Sequence, residues 1–214
     1  MRLTSLFRSR LAGAALLLGA AAASVLPASL AHAQAAGATA QAIADHFATI
    51  PSMSGNFMQF DPNGRQLEGK FYIERPGKVR FDYSGAPLRV ISDGKNVAVN
   101  NRKLNTWDTY PLSKTPLKLL LDQRIDLSAA NIQSVKEAPD LTTIVMGDSS
   151  IFGNSRITMM FDPKSYELKQ WTIRDAQGKD TTVMIYDVQT GRDIENSAFA
   201  IPYTAIAQGQ TNRR

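Results

Sequence analysis

The stretch QLEGKFYIERPGKVRFDY, residues 66–83, decides the fold. Its apolar residues fall on every second position: Leu67, Phe71 and Ile73 alternate with Gln66, Glu68, Lys70, Tyr72 and Glu74. After Arg75-Pro76-Gly77 the rhythm resumes, with Val79, Phe81 and Tyr83 set between Lys78, Arg80 and Asp82. A period of two sends alternate side chains to opposite faces of an extended chain, so each half reads as a strand with one dry and one wet face. The proline and glycine between them supply the reversal, which makes the pair an antiparallel hairpin.

The pattern spreads outward from this hairpin. It begins just after Pro51, and further strands are expected at 87–92, 96–100, 104–110, 132–137, 141–147, 156–162, 167–174 and 180–187. Asp61-Pro62-Asn63-Gly64, Asp93-Gly94-Lys95 and Ala176-Gln177-Gly178-Lys179 mark tight connections. Short strands at this spacing predict a mainly β protein, a meander of about eleven strands in one large antiparallel sheet. Two segments break the rhythm. Thr39 can cap an amphipathic helix from Ala40 to about Thr49, with Ile43, Phe47 and Ile50 on its apolar face. Pro116-Leu117-Lys118-Leu119-Leu120-Leu121 predicts a short helix at 116–122 with its leucines facing the sheet. Residues 34–38 read as a loose leader, 34–203 as one domain, and the polar 204–214 as a frayed tail.

The first thirty-three residues read as an address rather than as fold. Arg2, Arg8 and Arg10 precede an apolar run from Leu11 to Leu26, and Ala31-His32-Ala33 before Gln34 forms a small-residue cleavage site. The run is shorter than the ~20 residues a spanning helix needs. The expected mature chain begins near Gln34, carries no cysteine that could be acylated, and is released into the periplasm. Without disulfides, such a domain holds together by packing alone. Removing the three signal arginines takes the chain from +5 to 21 basic against 19 acidic residues, too small an excess to argue for a nucleic-acid partner.

The search for catalytic chemistry finds little. His46 has no nucleophile, acid or metal-ligand spacing around it, so no metal and no cofactor is expected. Nucleophile-elbow, zinc-protease, phosphate-loop and dinucleotide motifs are missing. Carboxylate pairs such as Asp61 with Glu68 or Asp82 with Asp93 are as frequent as chance provides, and Trp107 and Trp171 read as cross-strand packing. The composition thus favours a binder over an enzyme. A sheet of eleven strands must curl, and two short helices are a thin cover for its concave face. That face forms either a well-filled core or an apolar hollow, for which the candidate lining is Phe47, Phe57, Phe71, Ile73, Val79, Phe81, Val90, Leu119, Leu120, Met159 and Phe161, and the strand pattern is the same for both.

Five motifs in series resemble the periplasmic outer-membrane lipoprotein carrier family, LolA. Met53-Ser54-Gly55-Asn56-Phe57-Met58-Gln59 resembles its first strand, and Gly69 to Tyr83 its arginine–proline hairpin. Val90-Ile91-Ser92-Asp93-Gly94-Lys95, Pro116 to Leu121, and Phe199-Ala200-Ile201-Pro202 resemble its later turn, helix and closing motif. The resemblance implies an incomplete, unclosed β-barrel with a lid of short helices. It implies a monomer that takes lipoproteins by their acyl chains from an inner-membrane ABC transporter of the LolCDE type and delivers them to an outer-membrane acceptor such as LolB. It assigns Arg75 to locking the lid. Val79 and Phe81 stand where the family often has phenylalanine and tryptophan, so some aromatic bulk is lost. A carrier of free lipid or glycolipid, and a half-barrel lipid sensor of envelope stress, are the alternatives from other functional classes.

Overall fold

The computed structural model describes residues 28–127, 132–147 and 149–211. Eleven strands form one antiparallel sheet: β1 (Ser52–Phe60), β2 (Gln66–Glu74), β3 (Lys78–Ser84), β4 (Leu88–Asp93), β5 (Asn96–Asn101), β6 (Thr106–Pro111), β7 (Ile132–Glu137), β8 (Thr142–Met146), β9 (Arg156–Phe161), β10 (Leu168–Arg174) and β11 (Asp180–Thr190). Helices α1 (Ala28–Ala48), α2 (Leu117–Leu121), α3 (Ser149–Phe152) and α4 (Tyr203–Thr211) complete the described chain.

The spatial order is β6-β5-β4-β3-β2-β1-β11-β10-β9-β8-β7. Two meanders therefore meet where the first strand pairs with the last, from Met53↔Thr190 to Phe60↔Thr182. Were β6 also paired with β7, the barrel would close. Those two strands are instead the edges, and the connection between them holds a 3-10 turn at Leu112–Lys114 and then α2. Pro116 caps α2, and Leu119, Leu120 and Leu121 are all buried. The leucines join the apolar cluster inside the sheet, and the end of α2 meets the β2–β3 turn, where the Gly77 amide donates to Leu121 O.

The hairpin read first from the sequence has the expected register, with Phe71 opposite Phe81 and Ile73 opposite Val79. Its turn packs closely on the next one. Gly77 has φ +83°, and a Cβ there would lie 2.7 Å from Gly94 Cα, so only glycine fits. Strand ends differ from expectation by one or two residues except for β11, which runs on to Thr190.

Helix α1 starts at Ala28, eleven residues before the expected cap, so Thr39 is interior to it and residues 34–38 are helical rather than a loose leader. Alanine is the strongest helix former, and the segment is rich in it. Its buried stripe is Ala40, Ile43, Ala44 and Phe47, at helical spacing. Residues 203–211 likewise form a helix, α4, within the stretch expected to fray, and the rest of that stretch lies outside the described residues. The 3-10 turn at Asn196–Phe199 and the segment leading into α4 lie across the convex face of β3 to β6, where Ile201 packs on Ile91 and Ala98 beside Trp107 and Ile206.

Candidate functional site

The concave face is where the sequence points. Phe57, Phe71, Val79, Met159 and Phe161 have no exposed surface, Ile73 and Phe47 have 2%, and Phe81, Leu119 and Leu120 are buried with them. Val90 is partly buried against the same cluster. All eleven expected lining residues thus lie in one apolar assembly contributed by α1, α2 and both meanders. The rings meet edge to face, as their quadrupoles favour: Phe57 lies 5.0 Å from both Phe81 and Tyr83, and Phe47 lies 5.7 Å from Phe161.

The two helices and the facing side chains occupy the expected hollow. A cavity of about 420 Å³ opens instead at the wall, where β10 and β11 part below the C-terminal end of α1. Its apolar floor is Phe47, Ile50, Met53, Leu168, Ile185 and Val188, and Glu167, Lys169, Asp187 and Thr190 stand around it.

Trp171, read from the sequence as packing but not among the expected lining residues, is 2% exposed and lies 6.1 Å from Phe81 within this cluster. The cause is a register shift between Leu168 and Gln170. Leu168 and Trp171 both face inward although they are three apart, and no period-two reading can put both on one face. His46 lies edge-on to Tyr166 at 5.9 Å. Among the described residues no three His, Cys, Asp or Glu side chains cluster as a metal site would require.

Arg75 directly follows β2, keeps the inward parity of Phe71 and Ile73, and is 7% exposed. Its Nη2 donates to the main-chain carbonyls of Phe47 and Ile50, at the end of α1. The guanidinium carbon stands 3.9 Å above the Phe47 ring. Among the described residues, Nε and Nη1 are buried without a hydrogen-bond partner. Burial pulls the guanidinium pKa down to about 10. The same turn touches both helices. The Arg75 amide donates to Pro51 O at 2.8 Å, just beyond α1, and the Gly77 amide donates to Leu121 O at 2.7 Å, the last residue of α2.

The profile of the family described as outer membrane lipoprotein carrier protein LolA matches residues 48–202. The chain belongs to the LolA family. A protein of Methylobacillus flagellatus named outer-membrane lipoprotein carrier protein is 26% identical over 186 residues, covering 77% of this chain and 85% of that protein. A protein of the same name from Alkalilimnicola ehrlichii is 35% identical over 74 residues, 32% of this chain and 35% of its own length. Among solved structures, a LolA superfamily protein from Nitrosomonas europaea covers 77% of this chain and 98% of its own, with 10% identity and a TM-score of 0.43. No helix among the described residues is long and apolar enough to cross a membrane.

Proposed function

We propose that the mature chain is a periplasmic carrier that accepts lipoproteins released from the inner membrane, shelters their acyl chains against the concave face and delivers them to the outer membrane. Family membership supports the carrier role, and one observation supports the mechanism. Arg75 is a buried cation that, among the described residues, has no ion-paired carboxylate and leaves two nitrogens unsatisfied, and its bonds go to the end of the helix that covers the apolar face and the residues just after it. Burying unpartnered donors costs free energy, so a position devoted only to stability would favour an apolar residue. As a latch, the arrangement has a use.

The energetics require such a device. Each methylene moved out of water contributes ~0.8 kcal/mol, so one long acyl chain brings on the order of ten. A carrier that released nothing on closing would hold its cargo too tightly to part with it. Here cargo must displace α1 and α2 from the residues they cover. Opening breaks two charge-assisted hydrogen bonds at about 1.5–3 kcal/mol each, and re-forming them helps expel the cargo. The closed form also hides the apolar face between journeys. The residues that cover or line this face, Phe47, Phe57, Phe71, Ile73, Val79, Phe81, Val90, Leu119, Leu120, Met159 and Phe161, would then meet the acyl chains once the helices move.

The chain contains no nucleotide-binding motif, so ATP would be consumed by a LolCDE-type partner, with a LolB-type acceptor receiving the cargo. Cleavage between Ala33 and Gln34 would keep the whole buried stripe of α1, Ala40 to Phe47. The test is a transfer assay with lipoproteins released from inner-membrane vesicles. Arg75→Leu is expected to take up cargo normally and pass it to outer membranes at least about tenfold more slowly. Normal delivery by that variant would remove the latch role. If mass spectrometry of the loaded protein finds free lipid or glycolipid and no lipoprotein, the proposed cargo is wrong.

A further inference from the structure

We infer that the wedge between β10 and β11 is the seat at which one hydrocarbon chain with an uncharged head first engages the closed protein, and that filling it loosens the hold of Arg75 on α1. This rests on the carrier reading and adds the point of access. The lining residues proposed above lie under the helices in the closed form, so cargo needs a site it can reach before anything moves.

The wedge arises from strand pairing. β10 pairs with β11 from Arg174↔Asp180 only as far as Gln170↔Met184. β11 continues to Thr190 paired with β1 alone. A bulge lies in that stretch, where the register shifts between Ser54 and Asn56 and Asp187 adopts φ +52°. The bulge changes the phase of the strand, so that Ile185 and Val188, three apart, both line the cavity. The wall of the half-barrel is therefore split, and the split leads inward to Met53 and to the last turn of α1.

The cavity suits hydrocarbon. The cleft is open and bordered by polar groups, but over its apolar floor about 420 Å³ has room for a chain of roughly a dozen carbons. The charges at its mouth are those of Glu167 and Lys169, paired at 2.8 Å, and of Asp187, which accepts a hydrogen bond from Asn56 at 3.0 Å. They leave one net negative charge, which repels a fatty-acid carboxylate and tolerates the neutral glyceryl end of an acylglycerol.

The position of the cavity ties it to the latch. Phe47 and Ile50 line it, and their carbonyls are the two acceptors of Arg75 Nη2. The Phe47 ring has the guanidinium over one side. A chain that wedges against these two residues binds better when they move outward, and that difference in affinity is what a ligand needs to shift the closed form toward the open one.

The probe is monomeric 1-monolauroylglycerol, with calorimetry for binding and amide exchange over residues 43–50 for the latch. The wild-type chain is expected to bind it saturably, at least tenfold tighter than laurate, with exchange in that segment accelerated at least tenfold. Val188→Trp replaces a residue that is 40% exposed and fills the cavity. It is expected to weaken binding at least tenfold and abolish the acceleration. Thr190→Trp fills the same space from its other end and gives the same reading should Val188→Trp fail to fold. Undiminished binding by the filled variants overturns the wedge and leaves the carrier reading standing. Binding without faster exchange overturns the coupling to Arg75, and tighter binding of laurate overturns the uncharged head. Absence of binding by both the wild-type and Arg75→Leu chains defeats the wedge and the carrier reading together.

Discussion

The sheet has a cover on each face, and the two are fastened in different ways. On the convex face the C-terminal segment is held by bonds whose partners are satisfied. Lys78 reaches Asn196 at 2.5 Å, Arg80 reaches the Ala198 carbonyl at 3.2 Å, and Tyr203 sits between Asn96 at 2.8 Å and Asp93 at 2.7 Å. Phe199, 2% exposed, anchors it beneath Lys78. On the concave face the buried polar tie to α1 is Arg75, which bonds main-chain carbonyls and, among the described residues, leaves two nitrogens unmatched. Under the proposed carrier function, the outer cover would be built to stay and the inner one to leave. The lesson is that the quality of polar satisfaction, rather than apolar area alone, separates a structural strap from a lid.

The sharpest way to break this contrast is Phe199→Ala. Truncating a buried phenylalanine costs about 3–5 kcal/mol, so urea unfolding should show a loss of that size. Cargo uptake by the folded fraction should be unchanged. A variant that kept its stability but lost cargo would mean that the convex face, not the concave one, does the carrying.

The inner cover should respond in the opposite sense. Arg75→Leu is expected to slow handover at least tenfold, equivalent to about 1.4 kcal/mol, while moving unfolding stability by no more than about 1 kcal/mol. Two charge-assisted bonds are lost, but the cost of burying a guanidinium with unpaired donors is lost too. The sign with pH follows. The folded pKa near 10 lies below the ordinary guanidinium value, so the unfolded chain binds more protons between the two, and this residue's contribution to stability rises with pH there. A loss of more than about 3 kcal/mol at pH 7 would make Arg75 a staple rather than a latch.

Most of the sheet was legible because period-two alternation is a local signal, and β2 and β3 carry it without interruption from Leu67 to Tyr83. Failures came where a local signal is silent. Trp171 and Val188 sit just past phase shifts that no alternation reveals. The pairing of β1 with β11 joins residues some 130 apart, so the seam could not be assigned to β6 and β7 in advance. The inward side of Arg75 followed from its parity with Phe71, but its acceptors are main-chain carbonyls, which every residue possesses. The C-terminal strap was read as frayed because its few apolar residues, Ile201 and Ile206, anchor on Ile91, Ala98 and Trp107 from other strands.

A smaller effect sharpens the account of the strap. Tyr203→Phe removes the hydroxyl that donates to Asp93 and should cost about 1 kcal/mol at pH 7. Burial raises the Asp93 pKa, but hydrogen bonds from the Asn96 amide, Tyr203 and the Lys95 amide outweigh it and hold the carboxyl below 3.8. A depressed carboxyl stabilises the fold above its unfolded pKa, and that contribution fades as pH falls through the folded value. The difference between wild type and Tyr203→Phe should therefore shrink below about pH 4. A penalty that persisted into acid would assign the role of Tyr203 to ring packing rather than to the carboxylate.

The smallest expected effect belongs to the ion pair that spans the two parts of the inner cover. Arg124 Nη2 lies 3.3 Å from Asp45 Oδ1, linking α1 to the chain beyond α2, and both side chains are about 60% exposed. Exposed pairs of this kind contribute ~0–1 kcal/mol and are screened by salt. Asp45→Ala should thus change urea stability by no more than about 0.5 kcal/mol and leave handover unaltered. This null is informative because the pair joins the same elements as the Arg75–Gly77 turn, yet from the solvent side. If Asp45→Ala slowed handover as Arg75→Leu is expected to, any tie across the lid would serve. If only the buried tie matters, the reason is that low dielectric strengthens the two bonds Arg75 makes and penalises the ones it cannot, so the latch is both firm when shut and ready to open.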